Sequence, residues 1–596
     1  MRTILLFFLT LVVAYGQEYE LSGIVTDESK TPLVGAFVIV KGTTKGTQTD
    51  FEGKYLIRVK PNDVLIFSYI GFESQEITIK KQKTLNVVLK EDQQILQDVV
   101  IVGYGNPNKS YKAGATIRGI ASYQERETYK NIQENKFKKT TTDPISTFSA
   151  DVDRASYSNI RRMINNGSLP DRDAVRIEEM INYFDYDYPQ PDANSKTPFK
   201  VTTELSEAPW NSKNYLLQVG VQAQKINLEK TPPSNIVFLI DVSGSMDYPN
   251  KLPLLKSSFK LLLNSLKPTD KVAIVVYAGR SGLVLPSTSA KEKAKIEAAL
   301  DNLNAGGSTA GGEGLKLAYK VARENFIPSG NNRIILATDG DFNVGINNYN
   351  DLQRLVEEER KSGIYISVLG FGMGNYRDDM TETIANKGNG NYAYIDNIME
   401  AKKVLVNEFG GTFYTVAKDV KFQLEFNPKY VKEYRLVGYE NRMLNTEDFE
   451  DDQKDAGEVG SGHTVTVFYE IVPTKGKNEN TLRYQKQELN EKGKKGNEIA
   501  FLKIRYKNPD SKTNKSIEVS QPIDFQLKEL SKTSDNFRFA AAVAEFGMLL
   551  RNSEFKANSS YEQVINLAQN ALADDKEGYR KEFIRLVESA KLLKNE

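Results

Sequence analysis

Between residues 20 and 91 apolar and polar positions alternate with a period of two. The runs ELSGIVTD, GAFVIVKGT, GKYLIRVK, DVLIFSYI, SQEITIKK and TLNVVLK are separated by Gly, Pro and Asp. Short alternating runs bounded by turn residues predict a small all-β sandwich. At residue 235 the pattern changes. Continuous apolar runs (IVFLI, KVAIVVY, RIILAT, YISVLG, YAYI) now alternate with amphipathic stretches such as LPLLKSSFKLLLNSL, GEGLKLAYKVAREN and YNDLQRLVEEERKSG. This predicts an α/β domain over 235–410, a doubly wound parallel sheet with helices on both faces. Period-two strands flank it: FKVTTEL and YLLQVGVQ before, and DVKFQLEFN, EYRLVGYE, HTVTVFYEIVP, AFLKIRYKNP and KSIEVSQPI after. Each flank has too few strands to close a core alone. The α/β segment is therefore expected as an insertion in a β-sandwich, with the two ends of the insert close together. Helical spacing marks 156–165 and 174–183, where Ile177, Ile181 and Phe184 share a face. Further helices are expected at 536–550, after a capping-box-like SSYE at 559–562, and along the stripe Phe583, Leu586, Val587, Ala590 and Leu593.

The fold class is thus multidomain, α/β plus all-β. Residues 1–16 join Arg2 to a short apolar run at 4–13 and end in Ala14-Tyr15-Gly16, the layout of a cleaved export signal. The run is too short to span a bilayer, and no later transmembrane segment is expected. The remaining divisions are 17–91 (sandwich), 92–140 (a linker carrying VVIVGYG), 141–234 (N-terminal flank), 235–410 (α/β domain) and 411–596 (C-terminal flank). The protein is expected to be exported, and to be periplasmic, outer-membrane-associated or extracellular.

Composition removes whole classes of chemistry. With 79 basic and 78 acidic residues the net charge is +1, so no basic field exists for nucleic acid. There is no cysteine and a single histidine, His463. Disulfides, thiol nucleophiles, thiolate zinc sites and multi-histidine metal sites are excluded within one chain. His463 itself begins an alternating strand. Asp151 and Asp153 read as turn and helix-start carboxylates.

The candidate chemistry lies where IVFLIDVSGSM ends an apolar strand on Asp241, Ser243 and Ser245. In an open α/β sheet, ligands bind at the carboxyl ends of the strands. Gly244 allows the loop to curl, so the three side chains can converge. GGSTAGGEGL adds Thr309 in a glycine-rich loop before a helix, and RIILATDGDFNVG adds Asp339 at another strand end. All five are hard oxygen donors, which suit Mg²⁺ (or Mn²⁺ or Ca²⁺). Two carboxylates are too few to close the shell, so one position stays open. Neither GFGMGN at 370–375 nor the lysine-free GGSTAGGEG completes a nucleotide-binding fingerprint.

These residues resemble known families. GIVTDESKTPLVGAFVIVKGTTKGTQTDFEGKYLI resembles the carboxypeptidase regulatory-like domain, a transthyretin-like sandwich common in Bacteroidota envelope proteins. LQDVVIVGYG is similar to the box that follows this domain in TonB-dependent receptors, though no barrel strands come after it here. The D-x-S-x-S of Asp241, Ser243 and Ser245, with Thr309 and Asp339, resembles the metal-ion-dependent adhesion site of von Willebrand factor type A domains. That resemblance implies direct ligation by Ser243 and Ser245, ligation by Thr309 directly or through water, and water-mediated roles for Asp241 and Asp339. It also implies that a partner's Asp or Glu takes the open position. SADVDRASYSNIRRMINNGSLPDRDAVRIEEMINYFDYDYP and DAGEVGSGHTVTVFYEIVP are similar to the flanks of one family of exported bacterial von Willebrand factor A proteins. The expectation is a non-enzymatic, metal-dependent binding or scaffold protein of the cell envelope that associates with outer-membrane proteins. The rival is a phosphoester hydrolase using the same metal to activate water; against it, no general base beyond the ligands is apparent.

Overall fold

The computed structural model describes residues 18–90 and 127–594, except 29, 31, 34–35, 42, 44, 51, 70–71, 73, 151–152, 193–194, 279–280, 307–310, 341–348, 375, 455, 475–492, 494–495 and 510–514. The expected export signal and the VVIVGYG box lie outside the described residues. The chain divides into two compact units.

The smaller unit contains the N-terminal β-sandwich. One sheet orders Lys54–Val59, Tyr19–Thr26 and Val87–Val88; the other orders Gly46–Gln48, Phe37–Val40, Val64–Ser68 and Gln75–Thr78. The alternation seen in the sequence is the alternation of burial. Along Lys54–Val59 every second residue (Tyr55, Ile57, Val59) is buried, and these pack with Leu21, Val25, Val38, Leu65 and Phe67. Gly23 is required where the segment leading into Val87–Val88 runs beside the strand, because a Cβ there would fall 1.7 Å from the Leu85 carbonyl oxygen.

The larger unit carries the predicted α/β layer. Its sheet runs Ser281–Ser289, Lys271–Tyr277, Ser234–Asp241, Asn331–Thr338, Ile364–Phe371 and Tyr392–Ile395. The five strands from Lys271–Tyr277 onward are parallel. Ser281–Ser289 is an antiparallel edge strand, bulged against its neighbour. That strand is absent from the sequence reading because Gly282, Pro286 and three serines break its pattern. Ser234–Asp241 is buried along its whole length, as expected for a strand covered on both faces.

Strands on either side of the insert close a two-sheet sandwich. Asn211–Ala223 pairs antiparallel with Thr464–Pro473, from Tyr215↔Ile471 to Gln222↔Thr464. The facing sheet is built on Thr415–Phe426, between Ile145–Ser149 and Glu498–Lys507. Phe148, Phe422, Phe426, Tyr434 and Tyr469 fill the space between the sheets. The insertion is therefore as expected. Its two ends are gathered by the loop 460–463. Ala223 N–H donates to the His463 carbonyl (2.9 Å) and Gly462 N–H to Gln224 (3.1 Å) on the outgoing side. Ser461 N–H donates to Tyr414 (2.8 Å) on the returning side.

Residues 127–140, assigned to the linker from their polarity, lie instead on this unit. Ile132 is buried, Asn135 Nδ2 donates to the Gly438 carbonyl at 2.7 Å, and Lys138–Lys139 joins the sandwich edge. Polar side chains here bond to protein groups, which composition alone does not reveal.

A helical cluster of Ala155–Asn165, Ile177–Asn182, Asp535–Arg551, Tyr561–Gln569 and Tyr579–Lys594 packs Tyr157, Phe184, Trp210, Phe539, Phe546 and Phe583 into one core. Ser560, one residue later in the SSYE stretch than a cap at Ser559 would be, accepts the Gln563 N–H at 3.1 Å. Arg161, fully buried, ties this cluster to the insert. Its guanidinium donates to Asp396 (2.7 Å), Glu400 (2.7 Å), Glu582 (2.9 Å) and the Tyr183 hydroxyl (2.9 Å). Removing one partner from a buried ion cluster leaves charge without compensation. Arg161→Met is expected to lower stability by roughly 3–5 kcal/mol, read as a shift of the urea unfolding midpoint.

Glu545 sits inside the helical cluster, beside Ser559 and the Ser560 backbone. Its carboxylate makes no hydrogen bond of normal geometry, and burial pushes its pKa from 4.5 to about 7. The folded chain thus keeps a proton that the unfolded chain has released, so this group's contribution to stability is present below pH 4.5 and is lost as pH rises to about 7. Glu545→Gln is expected to remove that component. Unfolding midpoints of variant and wild type should diverge, in favour of the variant, as pH rises through this window.

Candidate functional site

The order of the α/β sheet puts Ser234–Asp241 and Asn331–Thr338 side by side, with their crossovers leaving in opposite directions. The crevice at their carboxyl ends is the switch point where such sheets bind ligands. Asp241 ends the first strand and Asp339 follows the second, one and two residues beyond the neighbours Ile240↔Ala337.

Asp241 is fully buried. Its Oδ1 accepts the Ser243 N–H at 2.8 Å, which folds the loop back over the strand end. Its Oδ2 is buried without a hydrogen bond of normal geometry. Burial pushes the carboxyl from 3.8 up to about 7; the hydrogen bonds from Ser243 and the Tyr277 hydroxyl oppose this, and the nearby Asp339 charge reinforces it. Ser243 is buried and Ser245 exposed, with their hydroxyl oxygens 3.0 Å apart. The loop leading to Thr309 is anchored beside them, since Gly306 N–H donates to the Val242 carbonyl at 2.7 Å. Thr309 itself lies outside the described residues. Asp339 is buried, and Gly340 after it turns at φ +85°.

The donor set fits a divalent cation. A buried carboxyl group next to two hydroxyls that hydrogen-bond to each other is an all-oxygen donor set, which carries negative charge once the carboxyl ionises. An oxygen-seeking ion would neutralise it. The sequence reading missed Tyr277, which underlies Asp241. It is the register partner of Asp241 across the sheet, and the Asp241 and Asp339 charges add to burial in holding its hydroxyl protonated. A polar residue closing the run KVAIVVY was the available signal.

Among the described residues, Asp153, Glu179 and Glu382 form a second acidic group whose oxygens lie within 4.8 Å of one another. Two arginines match it. Arg176 pairs with Glu179 (3.1 Å) and Glu382 (3.2 Å), and Arg442 with Asp153 (2.8 Å) and Glu382 (3.2 Å). The group is an internal ion cluster, and Asp153 does more there than start a helix. His463 packs on Gly411, where a Cβ would meet its Nε2 at 2.1 Å. Burial lowers its pKa to about 4, so it is neutral at neutral pH and sits among Arg154, Glu408, Asp185 and Lys403.

Family models match most of the chain. The CarboxypepD_reg-like domain covers 21–101, a von Willebrand factor model covers 123–218, and the von Willebrand factor type A domain covers 235–407. The C-terminal region of the uncharacterized protein YfbK covers 411–593. YfbK of Escherichia coli K12 is 46% identical over 469 residues, which is 78% of this chain and 80% of that protein. The N-terminal part is similar to the TonB-dependent receptor SusC of Bacteroides thetaiotaomicron, 41% identical over 104 residues, or 17% of this chain and a tenth (10%) of the receptor. A solved von Willebrand factor type A protein from Catenulispora acidiphila aligns with 65% of this chain and 91% of its own at 17% identity and a TM-score of 0.36.

Millimolar Mg²⁺ is expected to raise the thermal unfolding midpoint, because an ion held only by the folded state stabilises it by mass action. EDTA should reverse the shift, and Asp241→Ala should show none. Differential scanning calorimetry of the two proteins with and without the ion reads both outcomes.

Proposed function

This chain belongs to the YfbK family, and we propose that it is a metal-dependent binding protein of the cell envelope that captures an acidic group of another protein. The von Willebrand factor type A domain supports an interaction role rather than catalysis. The finer reading rests on one observation: the buried carboxyl of Asp241 converges with the paired hydroxyls of Ser243 and Ser245 at the carboxyl end of the strand.

Ser243, Ser245 and Thr309 would hold the ion through hydroxyl oxygens, with Asp241 and Asp339 orienting the shell. Mg²⁺ fits this hard, mostly neutral donor set; Mn²⁺ and Ca²⁺ share the preference for oxygen. When bound, the ion supplies an electrophilic position for a carboxylate from outside the chain. The rest belongs to the protein. Burial of Asp241 and Ser243 keeps their oxygens out of bulk water, and the Ser243 N–H fixes the carboxylate's orientation. Ser245, exposed at the rim, marks the side from which a partner arrives.

Placement in the envelope draws on the export signal read at 1–16 and on the likeness of the N-terminal module to outer-membrane receptors. No helix among the described residues is long and apolar enough to cross a membrane. The proposed partner is accordingly an envelope protein, associated with the outer membrane, that presents an Asp or Glu.

Capture from envelope extract should require the ion and fail in EDTA. Thr309→Ala should weaken capture while largely retaining Mg²⁺ binding by calorimetry; Asp241→Ala should lose both. Equal capture in EDTA would show that the metal does not carry recognition.

A further inference from the structure

Glu127 and Thr128 of the larger unit bond to the segment that follows strand Ile364–Phe371. Thr128 N–H donates to the Tyr376 carbonyl at 3.2 Å, in a parallel bridge with Arg377. The Thr128 hydroxyl donates to Asp379 Oδ1 at 2.9 Å. Glu127 Oε1 accepts the Gly374 N–H at 3.0 Å, while its Oε2 accepts from Arg162 and from the Tyr129 hydroxyl, each at 2.7 Å. Gly374 and Tyr376–Arg377 belong to the loop after the strand, and Asp379 lies in the first turn of the helix Asp378–Lys387 that follows it.

The other side of that loop touches the candidate metal site. A Cβ on Gly340 would lie 2.7 Å from Tyr376 Cδ2 and 2.8 Å from Arg377 N. Tyr376–Arg377 is therefore packed between Thr128 and Gly340, the residue directly after Asp339. The loop needs outside support. Gly372 and Gly374 both sit at positive φ (82° and 104°), so its shape follows from contacts rather than from regular backbone structure. Tyr376 is fixed on the strand side, its hydroxyl 2.9 Å from that of Tyr392. At Gly374 and Arg377, the strap 127–128 supplies the support.

We infer that Glu127 and Thr128 are positioning residues for the metal site, holding loop 372–377 and the start of the helix after it against Gly340 and so keeping the Asp339 carboxylate in place. The inference rests on the reading of Asp241, Ser243, Ser245, Thr309 and Asp339 as the metal shell. Groups that orient metal ligands from behind affect affinity without touching the ion. Neither residue has an intrinsic claim on a metal site; the strap's route gives them one.

The test uses the full chain. Thr128 is exposed, so Thr128→Val removes one hydrogen bond without opening the core. Glu127→Gln weakens the ionic hub, and the two are combined in a double variant. Mg²⁺ affinity is measured by titration calorimetry, the thermal midpoint without metal by calorimetry, and backbone exchange of 372–379 without metal by mass spectrometry. The expected result is roughly tenfold weaker Mg²⁺ binding by the double variant, faster exchange across 372–379, and a near-wild-type midpoint. Thr128→Ser, which restores the hydroxyl, should recover wild-type affinity. Wild-type affinity in the double variant would overturn this inference alone. Absence of Mg²⁺ binding by the wild-type protein would overturn it together with the reading it rests on.

Discussion

The antiparallel pairing of Asn211–Ala223 with Thr464–Pro473 governs the rest of the larger unit. These strands are separated in sequence by the entire α/β insert. Their register can be satisfied only when the insert leaves and returns at nearly the same point. The loop 460–463 enforces that condition by bonding to residues 223–224 on one side and Tyr414 on the other. Gly460 is needed for this approach, since a Cβ there would fall 1.8 Å from the Gly411 carbonyl oxygen. Loop closure over so long an insert has an entropic cost that grows only slowly with length, so a well-bonded junction is sufficient to offset it.

Charge does the remaining work of joining insert to sandwich and helices. Arg161 collects Asp396, Glu400 and Glu582, while Arg176 and Arg442 collect Asp153, Glu179, Asp378 and Glu382. Buried ion pairs contribute little net stability compared with apolar packing, yet each is costly to break. Their effect is geometric. An apolar seam tolerates sliding, whereas a guanidinium with several carboxylate partners accepts one arrangement. The second acidic group is therefore explained without an ion; at Asp241 the neighbours that bear most on its charge are the hydroxyls of Ser243 and Tyr277 and the Asp339 carboxylate.

The metal end of the sheet is built from loops, and loops depend on what lies behind them. Asp241 is held by its own strand and by the Ser243 N–H. Asp339 is followed by a glycine at positive φ that packs on a second glycine-rich loop, which packs in turn on the strap at 127–128. Rigid strands thus deliver the first carboxylate, and a stack of irregular segments delivers the other.

Much of this was legible in the chain itself. Period-two and continuous apolar runs marked the sandwiches and the α/β layer, because burial on one face or on two leaves different patterns. The spacing of Asp241, Ser243 and Ser245 was readable because one turn carries all three side chains to the same strand end. Other features were not. The edge strand Ser281–Ser289 lacks alternation, since its register is bulged and its outer side is exposed. Residues 127–140 have the polarity of a linker, and only folding shows their polar groups bonded to protein. The arginine-centred clusters join residues hundreds of positions apart, and no local pattern encodes such pairs. Local sequence determined which segments are strands, which are helices and which turn bears the oxygen donors. Tertiary structure decided which charges meet and which loop supports Asp339, because those depend on long-range register that side-chain periodicity does not carry.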